Sequence, residues 1–171
     1  MTCKNRKTSY SLKPILWLAP MLVAAPALAT ESREARPCIT GEPSIIVHVR
    51  GFKNDVGQVR AQIYGPDPAT FLAKGKWTAR SEKRRDGSLA MRFCFPVATP
   101  GRYAIAVRHD ANGNAKSDWN DGGAFSRNPG LSVFNMKPKF EDVAVDVKTA
   151  PVEIEVEMQY RQGLSIKPWR P

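Results

Sequence analysis

Asp and Asn fill six of the twelve positions from Asp110 to Asp121, inside the stretch RHDANGNAKSDWNDGG (Arg108 to Gly123). Counted from Asp110, the oxygen-bearing groups Asp110, Asn112, Asn114, the Lys116 carbonyl, Asp118 and Asp121 stand at positions 1, 3, 5, 7, 9 and 12. That is the ligand spacing of an EF-hand calcium loop. Calcium takes six to eight oxygens at roughly 2.3–2.6 Å, and a tightly wound loop turns alternate short side chains inward. Three features depart from the pattern: Ala115 stands at the glycine position, Asp121 replaces the usual glutamate, and a strand precedes the loop. Arg108, His109, Lys116 and Arg127 add positive charge nearby. A calcium ion here is expected in the weak extracellular range, on the order of 10⁻⁴–10⁻³ M. The competing reading is a wide turn built on Asn112-Gly113, a strong hairpin signal in its own right.

Other chemistry is sparse. His109 borders Asp110, where it would orient a loop carboxylate; a hydrolase-like alternative uses it as a base with Asp110 or Asp118. Ser126 is the nucleophile that such a base would serve beside Asp118. The sequence holds no G-x-S-x-G, H-E-x-x-H, C-x-x-C, P-loop or G-x-G-x-x-G, which argues against an enzyme. His48 falls on the polar side of a strand. A basic run, KGKWTARSEKRRDG, gathers Lys74, Lys76, Arg80, Lys83, Arg84 and Arg85 around Trp77. It defines a second alternative, a surface for anionic lipid or polysaccharide, with Trp77 stacking on a sugar ring.

These groups are carried by strands. Ile45, Val47 and Val49 alternate with Ile46, His48 and Arg50; the same period of two recurs over Val59–Ile63, Leu89–Phe95, Tyr103–Val107, Val143–Val147 and Val152–Met158. Period two with one wet face marks half-buried strands. Asn54–Gly57, Asp86-Gly87 and Thr99-Pro100-Gly101 punctuate them. Such strands must bury their apolar faces on a second sheet. The expected fold is therefore all-β: an immunoglobulin-like or transthyretin-like antiparallel β-sandwich of about seven strands with one long Asp/Asn-rich loop. Two stretches do not alternate. Asp67 and Pro68 open a short helical turn over Ala69 to Ala73, and residues 110–139 read as a loop of functional length.

The chain begins with Lys4, Arg6, Lys7 and Lys13, no acid, and the apolar run PILWLAPMLVAAPALA. This reads as a signal peptide over residues 1–29, cleaved after Ala27-Leu28-Ala29, because the run is too short and proline-broken to span a bilayer. An N-terminal arm (30–43), the sandwich (44–160) and a C-terminal tail (161–171) follow. With no later apolar segment, the product is expected in the periplasm or outside the cell, which excludes nucleic acid as a partner and leaves an unidentified envelope ligand or protein. The formal charge of +10 for the full chain selects no partner alone. Export leaves Cys38 and Cys94, expected as one disulfide. Cys94 shares its strand face with Arg92, so the bridge would pin the arm to the outside of the sheet. The chain-entropy model gives such a closure about 4 kcal/mol.

Several runs together resemble a family: PGRYAIAVRHDANGNAKSDWNDGG, then FSRNPG, KPKFEDVAVDV and VEIEVEMQY. Over Ile45 to Tyr160 the chain is similar to the domain of unknown function 2141 family (DUF2141), exported bacterial proteins without an established activity. The resemblance implies an exported β-sandwich, with His109, Phe125, Ser126 and Asn128 supporting the Asp/Asn loop. Ala115 stands where the family commonly shows glycine, and Arg127 interrupts the Phe125-Ser126…Asn128 element. The combined expectation is a noncatalytic binding or accessory module of the cell envelope, stabilised by calcium through the loop.

Overall fold

The computed structural model describes residues 38, 39 and 41–170. The expected leader, residues 1–29, and most of the arm lie outside them. In chain order the strands are β1 (Ser44–Arg50), β2 (Gln58–Tyr64), β3 (Ala79–Arg84), β4 (Ala90–Pro96), β5 (Gly101–Asp110), β6 (Gly122–Phe125), β7 (Val145–Val147), β8 (Val152–Glu157), β9 (Gln159–Gln162) and β10 (Ser165–Pro168). One helical turn, α1 (Phe140–Val143), precedes β7. A small sheet runs β4-β1-β8; a larger one runs β10-β9-β6-β5-β2-β3, with β7 also paired to β5.

The alternation read in the sequence forms the inner faces. Ile45, Val47, Val49, Met91, Phe93, Phe95 and Val156 of the small sheet join Val59, Ala61, Ile63, Tyr103, Ile105 and Val107 of the large one in one core cluster. Two sheets burying one apolar face each make a sandwich. Phe93 and Phe95 are fully buried, each contributing about 1.5–3 kcal/mol of transfer free energy. A second cluster lies on the outer face of the large sheet, where Phe125, Phe140 and Val143 meet Phe71. Phe71 stands edge-on to both Phe125 and Phe140.

The sequence reading needs several corrections. β1 and β8 pair in parallel, whereas all other paired strands are antiparallel. The chain enters β8 from β7, which belongs to the other sheet, so no hairpin dictates its direction. Leu89 does not begin the inner row of β4; it is 92% exposed, and the strand starts at Ala90. Val143 ends α1 rather than opening a strand. The expected 110–139 loop contains β6, and the expected 161–171 tail holds β10 and the end of β9. The turn capped by Asp67 forms but spans only Pro68–Thr70, with the Asp67 carboxylate accepting from the Ala69 N–H at 3.0 Å.

Both open edges of the small sheet are plugged by side chains, one from β3 and one from the segment after β6. Lys83 donates to the Arg92 carbonyl on β4 at 2.5 Å. On β8, Asn128 donates to the Glu155 carbonyl at 3.1 Å and accepts the Glu157 N–H at 2.8 Å. An amide side chain that makes both bonds replaces a neighbouring strand and blunts the edge. Cys38 is bonded to Cys94, with 5.9 Å between Cα atoms. Cys94 pairs with Ile46 across β1 and β4, so the bridge lies on the outer face beside that isoleucine.

Candidate functional site

β5 carries the site because its two faces diverge in chemistry at its last turn of sequence. Tyr103, Ile105, Val107 and His109 form its inner row, and Arg108 points outward. His109 therefore sits in the core, fully buried, and not at the loop beside Asp110 where the sequence reading put it. Its ring nitrogens bond neither the Asp110 nor the Asp118 carboxylate. Its Nε2 lies 2.9 Å from the Val56 carbonyl and its Nδ1 2.6 Å from the Tyr160 hydroxyl. A carbonyl only accepts, so Nε2 carries the proton and Nδ1 accepts from Tyr160. The same hydroxyl accepts the Lys53 N–H at 3.1 Å. Burial lowers the His109 pKa and pushes that of Tyr160 up to about 12, so both rings stay neutral.

Gly122 makes this contact possible. It pairs with His109 on one side and Tyr160 on the other, so the two rings meet across an intervening strand. A Cβ on Gly122 would lie 2.4 Å from the Tyr160 ring. Neither Tyr160 nor Gly122 was singled out from the sequence; the signal available was the inner row continuing through His109.

The Asp110–Asp121 loop folds inward on itself. The Asp110 carboxylate accepts the N–H groups of Asn114 at 3.2 Å and Ala115 at 2.9 Å. Ala115 adopts φ 60°, the left-handed conformation that the missing glycine would have eased, at about 1–2 kcal/mol. Asp118 Oδ2 accepts the Asn112 amide at 2.8 Å and the Asn114 amide at 2.7 Å. These bonds, with the Asn120 N–H on the other oxygen, hold the Asp118 pKa below its ordinary value; the Asn112 bond contributes most.

The remaining two positions are gathered by Arg108. Its guanidinium donates to the Lys116 carbonyl and, through Nε at 2.9 Å, to Asp121 Oδ2. Asp121 also accepts the Asp118 N–H at 3.3 Å, and its other oxygen is buried without a hydrogen-bond partner. An arginine from the strand below thus supplies positive charge where calcium was expected to bridge. A divalent ion on all six groups would have to displace it, and the Asn112 and Asn114 oxygens already accept the Asn114 and Lys116 N–H groups. Among the described residues, no three His, Cys, Asp or Glu side chains meet as a ligand set.

The loop-supporting residues have distinct tasks. Along one edge of β5, β7 pairs at Gly101–Tyr103 and β6 at Ala106–His109. Ser126 fills the gap between them: its hydroxyl accepts the Ile105 N–H at 3.0 Å and donates to the Val143 carbonyl. It is fully buried and faces no base. Phe125 packs in the outer apolar cluster, and Asn128 plugs β8.

The basic run does not form one patch. β3 splits it by strand alternation: Lys83 falls in register with Val59, and Arg80 and Arg84 with Gln62 and Gln58. Arg80 stacks on Trp77 at 5.0 Å and pairs with Glu82 at 3.3 Å. Lys74 and Lys76 lie exposed in the preceding loop. Arg85 is a core residue, its side chain 2% exposed, bonded to Asp55 at 2.6 Å and stacked on Phe52 at 4.0 Å.

One groove adjoins the loop, with a volume of about 310 Å³. Asp118, Trp119, Gly123, Leu131, Met136 and Arg161 are among the residues that line it. Arg161 stacks on the Trp119 ring at 4.3 Å. A Cβ on Gly123 would meet nothing within 4 Å, so the absent side chain leaves the groove open there.

Fold and site together define a β-sandwich module whose Asp/Asn loop is locked to the sheet by an arginine and borders an open groove. The chain belongs to the bacterial family described as "Uncharacterized protein conserved in bacteria (DUF2141)", whose model matches residues 47–155. Neither the curated proteins nor the solved structures yield a match to it.

Proposed function

We propose that this chain is an exported, noncatalytic binding module of the cell envelope, holding its ligand in the groove between Trp119, Met136 and Arg161. The observation that carries the reading is the groove itself: about 310 Å³ of open space beside groups that are otherwise committed. His109 and Ser126 are buried with their polar atoms bonded inside the core. The hydrolase-like alternative needs His109 beside Asp110 or Asp118, and no contact favours it. Aromatic and aliphatic walls with a few polar groups suit an extended ligand with apolar or ring faces. Export rests on the basic and apolar start of the sequence; mass spectrometry of the protein recovered from cells would give Thr30 as its first residue.

Calcium is a separate element of this reading. It is favoured by the ligand spacing of Asp110, Asn112, Asn114 and Asp118 and opposed by Arg108. The groove is tested by calorimetry with cell-wall glycan oligomers and short peptides against wild type and Gly123→Leu. The leucine fills open space, so the variant keeps its fold and loses the ligand. Binding that survives Gly123→Leu and Trp119→Ala places the ligand elsewhere.

A further inference from the structure

A surface beside the groove has a chemistry of its own. Two turns meet there. Ser132 and Asn135 close one by reciprocal backbone bonds of 3.3 and 3.0 Å; the other joins β9 to β10 through Gly163 and Leu164. A bridge between Ser132 and Ser165 holds the two turns side by side. Each presents a large apolar side chain to solvent: Phe134 is 94% exposed and Leu164 78%. Met136, next in the first turn's segment, is also exposed. Neighbouring exposed apolar tips mark an interaction surface where a lone exposed leucine would not.

The two segments that carry the tips are basic, with acids only at their margins, among them Glu141 and Asp142 after one and Glu157 before the other. Residues 122–140 carry Arg127, Lys137 and Lys139, residues 158–171 carry Arg161, Lys167 and Arg170, and neither stretch contains an Asp or Glu. Arg170 pairs with Glu157 at the margin. The nearest acids across the groove, Asp118 and Asp121, already accept from Asn112, Asn114 and Arg108. We infer that Phe134 and Leu164 insert into the interface of an anionic lipid bilayer while the exposed Lys137 and Lys167 lie against its headgroups. Charge and exposure support this occupant: two almost fully exposed apolar side chains stand on adjoining turns in segments whose charged residues are all basic. Apolar insertion and basic attraction together give reversible surface binding. The basic run at residues 74–85 lacks this pairing, because β3 divides it. The inference does not depend on what occupies the groove.

The test is sedimentation of the full protein, as cells leave it, with vesicles of phosphatidylcholine alone or mixed with phosphatidylglycerol, at low and high salt. Wild type is expected to pellet with the anionic vesicles, less so as salt rises. Phe134→Ser/Leu164→Ser and Lys137→Glu/Lys167→Glu should each weaken binding about tenfold or more, with Tm unchanged because the side chains are exposed. Any leader retained is common to all the proteins, so the differences among them report the turns. Wild type that ignores anionic vesicles at low salt overturns the inference. So do double variants that bind as wild type does, or a Phe134→Ser/Leu164→Ser variant that only converts a dimer to a monomer.

Discussion

The Arg108 guanidinium holds the Asp121 carboxylate, with Nε 2.9 Å and Nη2 2.8 Å from the same oxygen. Arg108 leaves the outer face of β5 and Asp121 closes the loop that β5 begins, so the pair ties the loop's end back to its origin. The Asp121 side chain is 6% exposed. Arg108→Met would strand a buried carboxylate and cost about 2–3 kcal/mol, below the range for a fully buried pair. Denaturant titration measures it. The variant also releases the Lys116 carbonyl and Asp121, so millimolar calcium should raise its Tm more than that of wild type. An equal calcium response in both proteins would mean that ion and arginine do not compete.

Tyr160→Phe removes the hydroxyl that joins the Lys53 N–H to His109 Nδ1. The ring stays and two buried polar groups lose their partner, which costs about 1–3 kcal/mol. A loss under a few tenths, by chemical denaturation, would show that the hydroxyl bridge contributes little.

His109 gives a pH dependence with a definite sign. Its folded pKa lies below the ordinary 6.5, chiefly through burial, so the unfolded chain binds its proton first as pH falls. Its contribution is complete above pH 6.5 and is lost as pH drops from there through the folded value. Unfolding free energy measured from pH 7.5 down to about 5 should therefore fall more steeply for wild type than for His109→Gln. Parallel curves would mean that His109 is protonated in the folded state too.

The two glycines of β6 should behave oppositely. Gly122→Ala drives a Cβ into the Tyr160 ring and should cost about 1–3 kcal/mol by overpacking. Gly123→Ala meets open space and should leave Tm nearly unchanged. Equal Tm losses would argue that backbone freedom, not ring contact, selects glycine here.

Asn128→Ala strips both side-chain bonds from the edge of β8. About 1–2 kcal/mol is expected from two partly exposed hydrogen bonds, with faster amide exchange at Glu157. Unchanged exchange there would show that the edge is protected by something else.

The strands that were legible in the sequence, such as Ile45–Val49 and Val152–Val156, are those with one wet and one apolar face. β3 was missed because ARSEKR sits at a sheet edge and carries no apolar alternation. β6 was missed because GGAF is four residues long with two glycines, and β10 because SIKP gives too short a pattern. Leu89 was misread because alternation does not mark where a strand begins. The loop was legible as a cluster of Asp and Asn side chains at ligand spacing; in the structure Asn112 and Asn114 turn their amide nitrogens, not their oxygens, toward Asp118. What satisfies them was not, since amide donors and an arginine are invisible to a pattern of acceptors.

By itself, the sequence determined the all-β sandwich, because period two acts locally, and it pointed to the Cys38–Cys94 pairing that the structure shows. Only the tertiary structure decided that β8 lies parallel to β1, that His109 faces Tyr160 across Gly122, and that Arg108 supplies the loop with charge. Each depends on which strands become neighbours, and strand neighbours are chosen by how the whole core packs, not by the residues beside them in the chain.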